Sequence, residues 1–218
     1  MLIIFDLDDT LIDTSGAVTP YKMKRCLEIL CDLGLKISDF SKGYAELLEI
    51  NRLSLRSKDA LHSFILRQGG DPSWVEKVIP ELSSPLPSDF PIPTTPSAKD
   101  ILEECAVKHR IALVTGGHPP FQMEKLKKAG IEPSIFSKIS IPEDSIKRPY
   151  YEALCKEFSK SPDDVIVCGD RILMDLIPAR ELGLTTVHMR WGRGLVNQTE
   201  EWIDYSISDL RQLRKIVR

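Results

Sequence analysis

The sequence predicts an α/β protein: a parallel, Rossmann-like sheet with an all-α module inserted after its first strand. Three observations predict it. Short, continuous apolar runs rich in branched residues alternate with helical patterns through most of the chain. That is the pattern of parallel strands covered on both faces and joined by right-handed helical crossovers. Residues 19–82 break the alternation and carry only helical patterns, and a cluster of prolines leads the chain back. With 218 residues the chain can form one large domain or two small ones around a real core.

The elements follow in order. Leu2–Phe5 is a four-residue apolar run and the first strand. In the inserted module, Thr19 can N-cap a helix with Pro20 at its first position; Met23, Cys26, Leu27 and Leu30 form its stripe, and Gly34 stops it. A second helix over 41–53 turns Tyr44, Leu47 and Leu48 inward. Ser57 opens a third, with Ala60, Leu61, Phe64 and Ile65 inside, ending at Gly69-Gly70. Asp71-Pro72 opens a fourth, with Trp74, Val75, Val78 and Ile79. Pro80, Pro85, Pro87, Pro91, Pro93 and Pro96 then read as a stiff return linker. Beyond it, helices are expected over 97–107, 120–129, 149–158, 172–182 and 209–217. Strands are expected over 111–114, 165–168 and 186–189, with weaker ones over 138–141 and 205–207. Residues 1–15 and 88–218 are thus assigned to the α/β core and 16–87 to the helical module with its linker. A crevice between two such modules is where a small ligand is expected.

Charge and composition narrow the function. Lys+Arg number 29 against 32 Asp+Glu, a formal net charge of −3, which argues against nucleic acid or an anionic membrane surface as the main partner. Arg211, Arg214, Lys215 and Arg218 read as the solvated face of a last helix, favourable near its C-terminus. The five cysteines, at 26, 31, 105, 155 and 168, show no CxxC spacing, and a reduced cytoplasmic chain is expected. No apolar run approaches a membrane span, and the N-terminal run meets Asp6 too soon for a signal peptide. The Asn197-Gln198-Thr199 sequon therefore carries no weight.

The chemistry sits at the strand ends. Asp6 and Asp8 follow the first strand two residues apart, so in extended chain their carboxylates point the same way. Two acids there repel unless a cation lies between them, as a magnesium site beside a proton-transfer acid requires. Thr115-Gly116-Gly117 closes the second strand with a hydroxyl and small-residue amides that can cradle an anion. Asp170 ends a later strand, with Asp175 five residues on, and Lys147 stands before Arg148-Pro149 at a helix start. Singly, each has a plain reading: Asp9-Thr10 capping a helix over solvated acids, a glycine turn, a surface lysine.

In order, the four segments resemble the haloacid dehalogenase-like hydrolase superfamily. Asp6, Asp8 and Thr10 match its Asp-x-Asp-x-Thr motif, Thr115 its strand-ending Ser/Thr, Lys147 its lysine, and Gly169, Asp170 and Asp175 its Gly-Asp and following Asp. The likeness also runs through the stretch from Thr115 to Gln122, through Lys125-Leu126, Gly130-Ile131 and 179–183, about two-thirds of the chain in all. The inserted helices look like the family's helical cap. Arg148 departs from the pattern, because the family's lysine usually stands directly before proline.

The resemblance implies a magnesium-dependent hydrolase of a small phosphomonoester. Asp6 would be the nucleophile that becomes an aspartyl-phosphate, and Asp8 the general acid and then base. Asp6, the Asp8 backbone carbonyl and Asp170 would hold Mg2+, with Asp175 orienting the groups around it. Thr115, the Gly116 amide and Lys147 would bind the phosphate oxygens. Asp8 disfavours dehalogenation, since dehalogenating members lack an acid there. A phosphotransferase or mutase on the same core is the alternative, and a non-catalytic phosphate-ligand binder a lesser one. The sequence names no substrate: Arg52, Arg56, Lys58, His62 and His118 are polar candidates without a motif, and oligomeric state is not legible.

Overall fold

Six parallel strands form one sheet in the order β3-β2-β1-β4-β5-β6, with β1 Leu2–Phe5, β2 Arg110–Val114, β3 Lys138–Ser140, β4 Val165–Gly169, β5 Thr185–Met189 and β6 Tyr205–Ile207. The computed structural model describes residues 1–196, 198 and 200–217. The expected sequon and Arg218 thus lie outside the described residues in whole or part. β1 is central and pairs with β2 on one side and β4 on the other, Phe5 lying opposite both Leu113 and Cys168. Every residue of β1 and β4 is buried, which is why these runs are continuously apolar rather than alternating. Strand order reverses beside β1, and in open α/β sheets the crevice at that reversal, off the carboxyl ends of the strands, is where ligands bind.

The chain divides into two compact units: Met1–Ser15 with Pro87–Arg218, and Gly16–Leu86. Pro87 falls with the first. That unit holds the sheet and the helices α5 Ala98–Lys108, α6 Pro119–Lys128, α7 Arg148–Glu157 and the short α8 Ile177–Arg180, numbered after four in the second unit. Its core joins Leu2, Ile4, Val114, Val165 and Val167 of the strands to Tyr151 and Leu154 of α7.

The second unit is four helices: α1 Thr19–Asp32, α2 Phe40–Leu53, α3 Ser57–Arg67 and α4 Trp74–Leu82. Its own core gathers Met23, Leu27, Leu30, Leu47, Leu61, Phe64, Ile65 and Val78, one stripe from each helix. Phe64 is fully buried there. Phe64→Ala should cost about 3–5 kcal/mol, read as an earlier urea midpoint in the fluorescence of Trp74, which packs against this core. A loss under about 1 kcal/mol would mean the unit has no packed core of its own.

The structure corrects four details. Thr19 does not cap α1, because the chain is already helical before it, as a π-helical turn over Thr14–Val18. Pro80 lies inside α4 rather than in the linker; it sits two residues from the helix end, and Glu76, four residues before it, is exposed, so a missing backbone donor there is tolerated. The helix expected over 172–182 is a π-helical turn, Ile172–Leu176, followed by α8, since Pro178 cannot donate to continue an α ladder. The last helix is 3-10, Leu210–Lys215, started by a capping box of Asp209 and Gln212. Three residues per turn put Leu210 and Leu213 on one buried face, while Arg211 and Arg214 pair outside with Asp209 and Glu104.

Candidate active site

Because all strands are parallel, the residues following β1, β2 and β4 share one sheet edge. Asp6 continues β1, its N–H donating to the Cys168 carbonyl at 3.0 Å. Leu7–Ile12 then fold into a tight turn in which the Leu7 carbonyl accepts N–H bonds from Leu11 at 2.9 Å and Ile12 at 3.1 Å. Asp9 takes a left-handed conformation (φ +57°) that Asp tolerates better than most residues. Its carboxylate accepts from Ser15 N–H at 2.7 Å and Ser15 Oγ at 2.5 Å, so it ties down the following turn rather than facing solvent.

Lys147 is the centre of the charge network. Its buried Nζ donates to Asp6 Oδ1 at 2.6 Å and to Asp175 Oδ1 at 2.5 Å. Asp175 Oδ2 accepts the Arg171 N–H at 2.9 Å. The π-helical turn brings Asp175 there, with Gly169 opposite: a Cβ on Gly169 would lie 2.5 Å from Asp175 Cβ. Arg148, next in sequence, is exposed and reaches Glu181 at 3.3 Å. Of the two basic residues before Pro149, only Lys147 meets Asp6.

Asp6, Asp170 and Asp175 are buried, and one oxygen from each lies within 4.8 Å of the others. Burial pushes the Asp6 carboxyl up to about 7, against the Lys147 ammonium, with Asp175 and Asp8 adding to the rise. Burial, then Asp9, Asp175 and Asp6, push Asp170 well above the usual carboxylate range. Lys147 is held well above the ordinary lysine value despite its burial, because Asp175 and Asp6 flank it. Asp170 Oδ1 is a buried acceptor with no hydrogen-bond partner. A buried carboxylate oxygen without a partner, among like charges, fits a hard divalent cation that binds oxygen. The Asp175 oxygens are already engaged by Lys147 and Arg171, so Asp6 and Asp170 are the carboxylates with the better claim to one.

Asp8 points into a different set of partners. Its Oδ1 accepts from Lys125 Nζ at 2.5 Å and from the Thr14 hydroxyl, and its Oδ2 accepts from Gln122 Nε2 at 3.1 Å. Burial would raise this carboxyl, but Lys125 and these hydrogen bonds outweigh it and hold Asp8 below the usual value. Its side chain is therefore not one of the acids gathered around Asp170.

Thr115 follows β2, fully buried, and its Oγ1 accepts from Gln122 Nε2 at 3.0 Å. Gly116 must be glycine: a Cβ there would lie 2.5 Å from Ser145 Oγ. His118 starts α6 and is exposed. Arg52, Arg56, Lys58 and His62 are all exposed on the helical unit; Arg52 pairs with Glu49 and Lys58 with Glu76.

Sequence reasoning missed roles for Thr14, Gln122 and Lys125. The available signal was two polar residues three apart, Gln122 and Lys125, on the buried stripe of α6 with Phe121 and Leu126. A lysine on an apolar stripe needs a partner.

Several known proteins are similar to this chain. Glyceraldehyde 3-phosphate phosphatase of Pyrococcus furiosus is 27% identical, covering 99% of this chain and 92% of that protein. Glyceraldehyde 3-phosphate phosphatase of Methanocaldococcus jannaschii is 29% identical, covering 99% and 96%. The solved HAD-hydrolase YfnB of Bacillus subtilis, bound to magnesium, superposes with a TM-score of 0.73 at 18% identity, covering 100% of this chain and 98% of that one; at that identity it shows the fold. Among the described residues no helix is long and apolar enough to cross a membrane. A family-level comparison matches residues 1–183, the stretch that holds every strand-end acid and Lys147, and by that match the chain is an enzyme of the haloacid dehalogenase-like hydrolase family.

Proposed function

We propose that this chain is a magnesium-dependent phosphatase that hydrolyses a small phosphomonoester through an aspartyl-phosphate on Asp6. The observation that carries the reading is the buried Lys147 ammonium held between Asp6 and Asp175 at the end of β1. A carboxylate fixed beside a cation is aimed for in-line attack on phosphorus, and the ammonium can follow the charge onto a phosphate oxygen. Asp8, with both oxygens held but the side chain still accessible, rests as a carboxylate. The anionic phosphate of an entering substrate favours protonation of Asp8, which passes that proton to the leaving alkoxide and later takes a proton from water. The Thr115 hydroxyl and the Gly116 amide bind the non-bridging oxygens. Asp175 positions Lys147.

Magnesium would be held by Asp6, Asp170 and the Asp8 backbone carbonyl. When bound, it neutralises charge between the nucleophile and the phosphate. The relatives named glyceraldehyde 3-phosphate phosphatases support a short phosphorylated aldehyde or sugar as substrate. Five unpaired cysteines suit a reducing, cytoplasmic setting.

The test is a panel of phosphomonoesters that includes glyceraldehyde 3-phosphate, followed by phosphate release with and without magnesium. Release that stops on chelation and returns with magnesium is expected. Transfer of the phosphoryl group to an added alcohol or sugar, with little free phosphate, would move the reading to a phosphotransferase.

Metal binding has a readout apart from activity. Burial, and then the charges of Asp9, Asp175 and Asp6, oppose an ionised Asp170, so Asp170→Asn should raise Tm in chelator by removing both penalties. Magnesium at about 100 times its Kd stabilises a binding protein by about 2.7 kcal/mol. That Tm increase should appear in the wild type and vanish in Asp170→Asn. An equal magnesium shift in both proteins would remove Asp170 from the site.

A further inference from the structure

We propose that Lys125, with Gln122 three residues before it on the same face of α6, is a positioning residue that aims the Asp8 carboxylate for proton transfer. The inference rests on the reading of Asp8 as acid and base, and adds to it the residues that make that role possible.

Lys125 is almost wholly buried, its side chain 5% exposed, while the Asp8 carboxylate beside it is 30% exposed. The cation is hidden and the group it holds is accessible. Donors reach both Asp8 oxygens: Lys125 and Thr14 at Oδ1, Gln122 at Oδ2. A carboxylate bonded at both oxygens from three directions has lost its rotation about the Cβ–Cγ bond.

Gln122 extends the restraint. Its Nε2 lies 3.1 Å from Asp8, 3.0 Å from Thr115 Oγ1 and 2.5 Å from the Gly116 carbonyl. One amide therefore ties the proton-transfer acid after β1 to the anion-binding turn after β2. Gly117 permits this approach: its φ is +128°, and a Cβ there would lie 3.2 Å from Gln122 Nε2. On the other side, Lys125 Nζ sits 5.3 Å from the centre of the Phe121 ring, one turn back on α6. Ring and carboxylate together locate the ammonium.

Stability does not account for such a lysine. A buried ion pair is often no better for folding than apolar residues of the same volume. Its expected contribution is geometric, because a misplacement of about 1 Å in a reacting group can cost about 10²-fold in rate.

The test is a double-mutant cycle on Asp8→Asn and Lys125→Met, with glyceraldehyde 3-phosphate and 4-nitrophenyl phosphate as substrates. Asp8→Asn should lower kcat by about 10² to 10⁴ on the alkyl ester. Lys125→Met should lower it by about 10 to 10², with KM within a factor of about three and a smaller deficit on the nitrophenyl ester. The nitrophenolate needs no proton to leave, so a merely structural defect would not distinguish the two esters. In the double variant Lys125→Met should add nothing to the loss from Asp8→Asn, as residues acting as a unit behave.

Full multiplication of the two losses, or near wild-type kcat in Lys125→Met, overturns the role of Lys125 and leaves Asp8 in place. Wild-type turnover in Asp8→Asn overturns the reading of Asp8 and the inference with it. If Lys125→Met does not fold, Lys125→Gln, which keeps an N–H donor, gives the same cycle with a smaller single loss. Additive losses in that cycle overturn the inference equally.

Discussion

Asp6→Asn is expected to remove turnover of any phosphomonoester the wild type accepts, by at least about 10⁴-fold, on the scale seen when a covalent nucleophile is lost. The amide has nearly the carboxylate's shape, so the fold should survive. It cannot form the acyl-phosphate, and it takes away one anion from the Lys147 ammonium. The Asp6 oxygen that accepts from Lys147 at 2.6 Å is still present in asparagine, so the network keeps its geometry and loses its charge. Burst measurements and intact-mass analysis after rapid quenching check both halves: the wild type should trap a phosphorylated chain and the variant should not. Near wild-type turnover in Asp6→Asn would end the covalent mechanism.

Lys147→Ala carries the second large effect, for two physical reasons. Removing one preorganised charge from a water-poor site commonly costs about 10² to 10³ in kcat. Here the ammonium also opposes the burial that lifts the Asp6 carboxyl to about 7. Without it that carboxyl rises further, stays protonated at neutral pH and stops being a nucleophile. The sign is definite: the apparent pKa governing the acid limb should move up, and activity lost near pH 7 should partly return at higher pH. Removing one member of a buried ion pair also costs about 3–5 kcal/mol of stability, so kcat/KM must be taken on the folded fraction. Arg148→Ala is the control. Its partner Glu181 is exposed, as it is itself, and such a pair contributes about 0–1 kcal/mol. A large loss in Arg148→Ala, with Lys147→Ala near wild type, would move the role one residue along the chain.

The helical unit illustrates what kind of information a sequence holds. The apolar stripe of α3, Ala60, Leu61, Phe64 and Ile65, repeats at helical spacing, and all four residues are fully buried. The stripe says which face is buried, and one kind of partner, another apolar face, satisfies it. The same logic placed the strands. The continuous runs of β1 and β4 could only be covered on both sides, and a parallel sheet then sets Asp6, Thr115 and Asp170 along one edge whatever the loops do.

Polar partners were not legible in that way. Lys147 and Arg148 are adjacent, equally basic and equally close to the helix start. Which of them is buried depends on Asp6, 141 residues away in sequence. Lys125 stood on the apolar stripe of α6 without a visible partner, because Asp8 lies 117 residues earlier and meets it only when α6 packs beside the end of β1. Asp175 reaches Lys147 through a π-helical turn ahead of Pro178, a winding that no residue period announces. The sequence by itself thus determined the sheet and its acidic edge, because hydrophobic periodicity and residue type are local properties, and the ordered motifs along that edge carried the resemblance to the family. The tertiary structure alone decided which charges meet, because an ion pair is set by distances of a few ångströms between segments far apart in the chain.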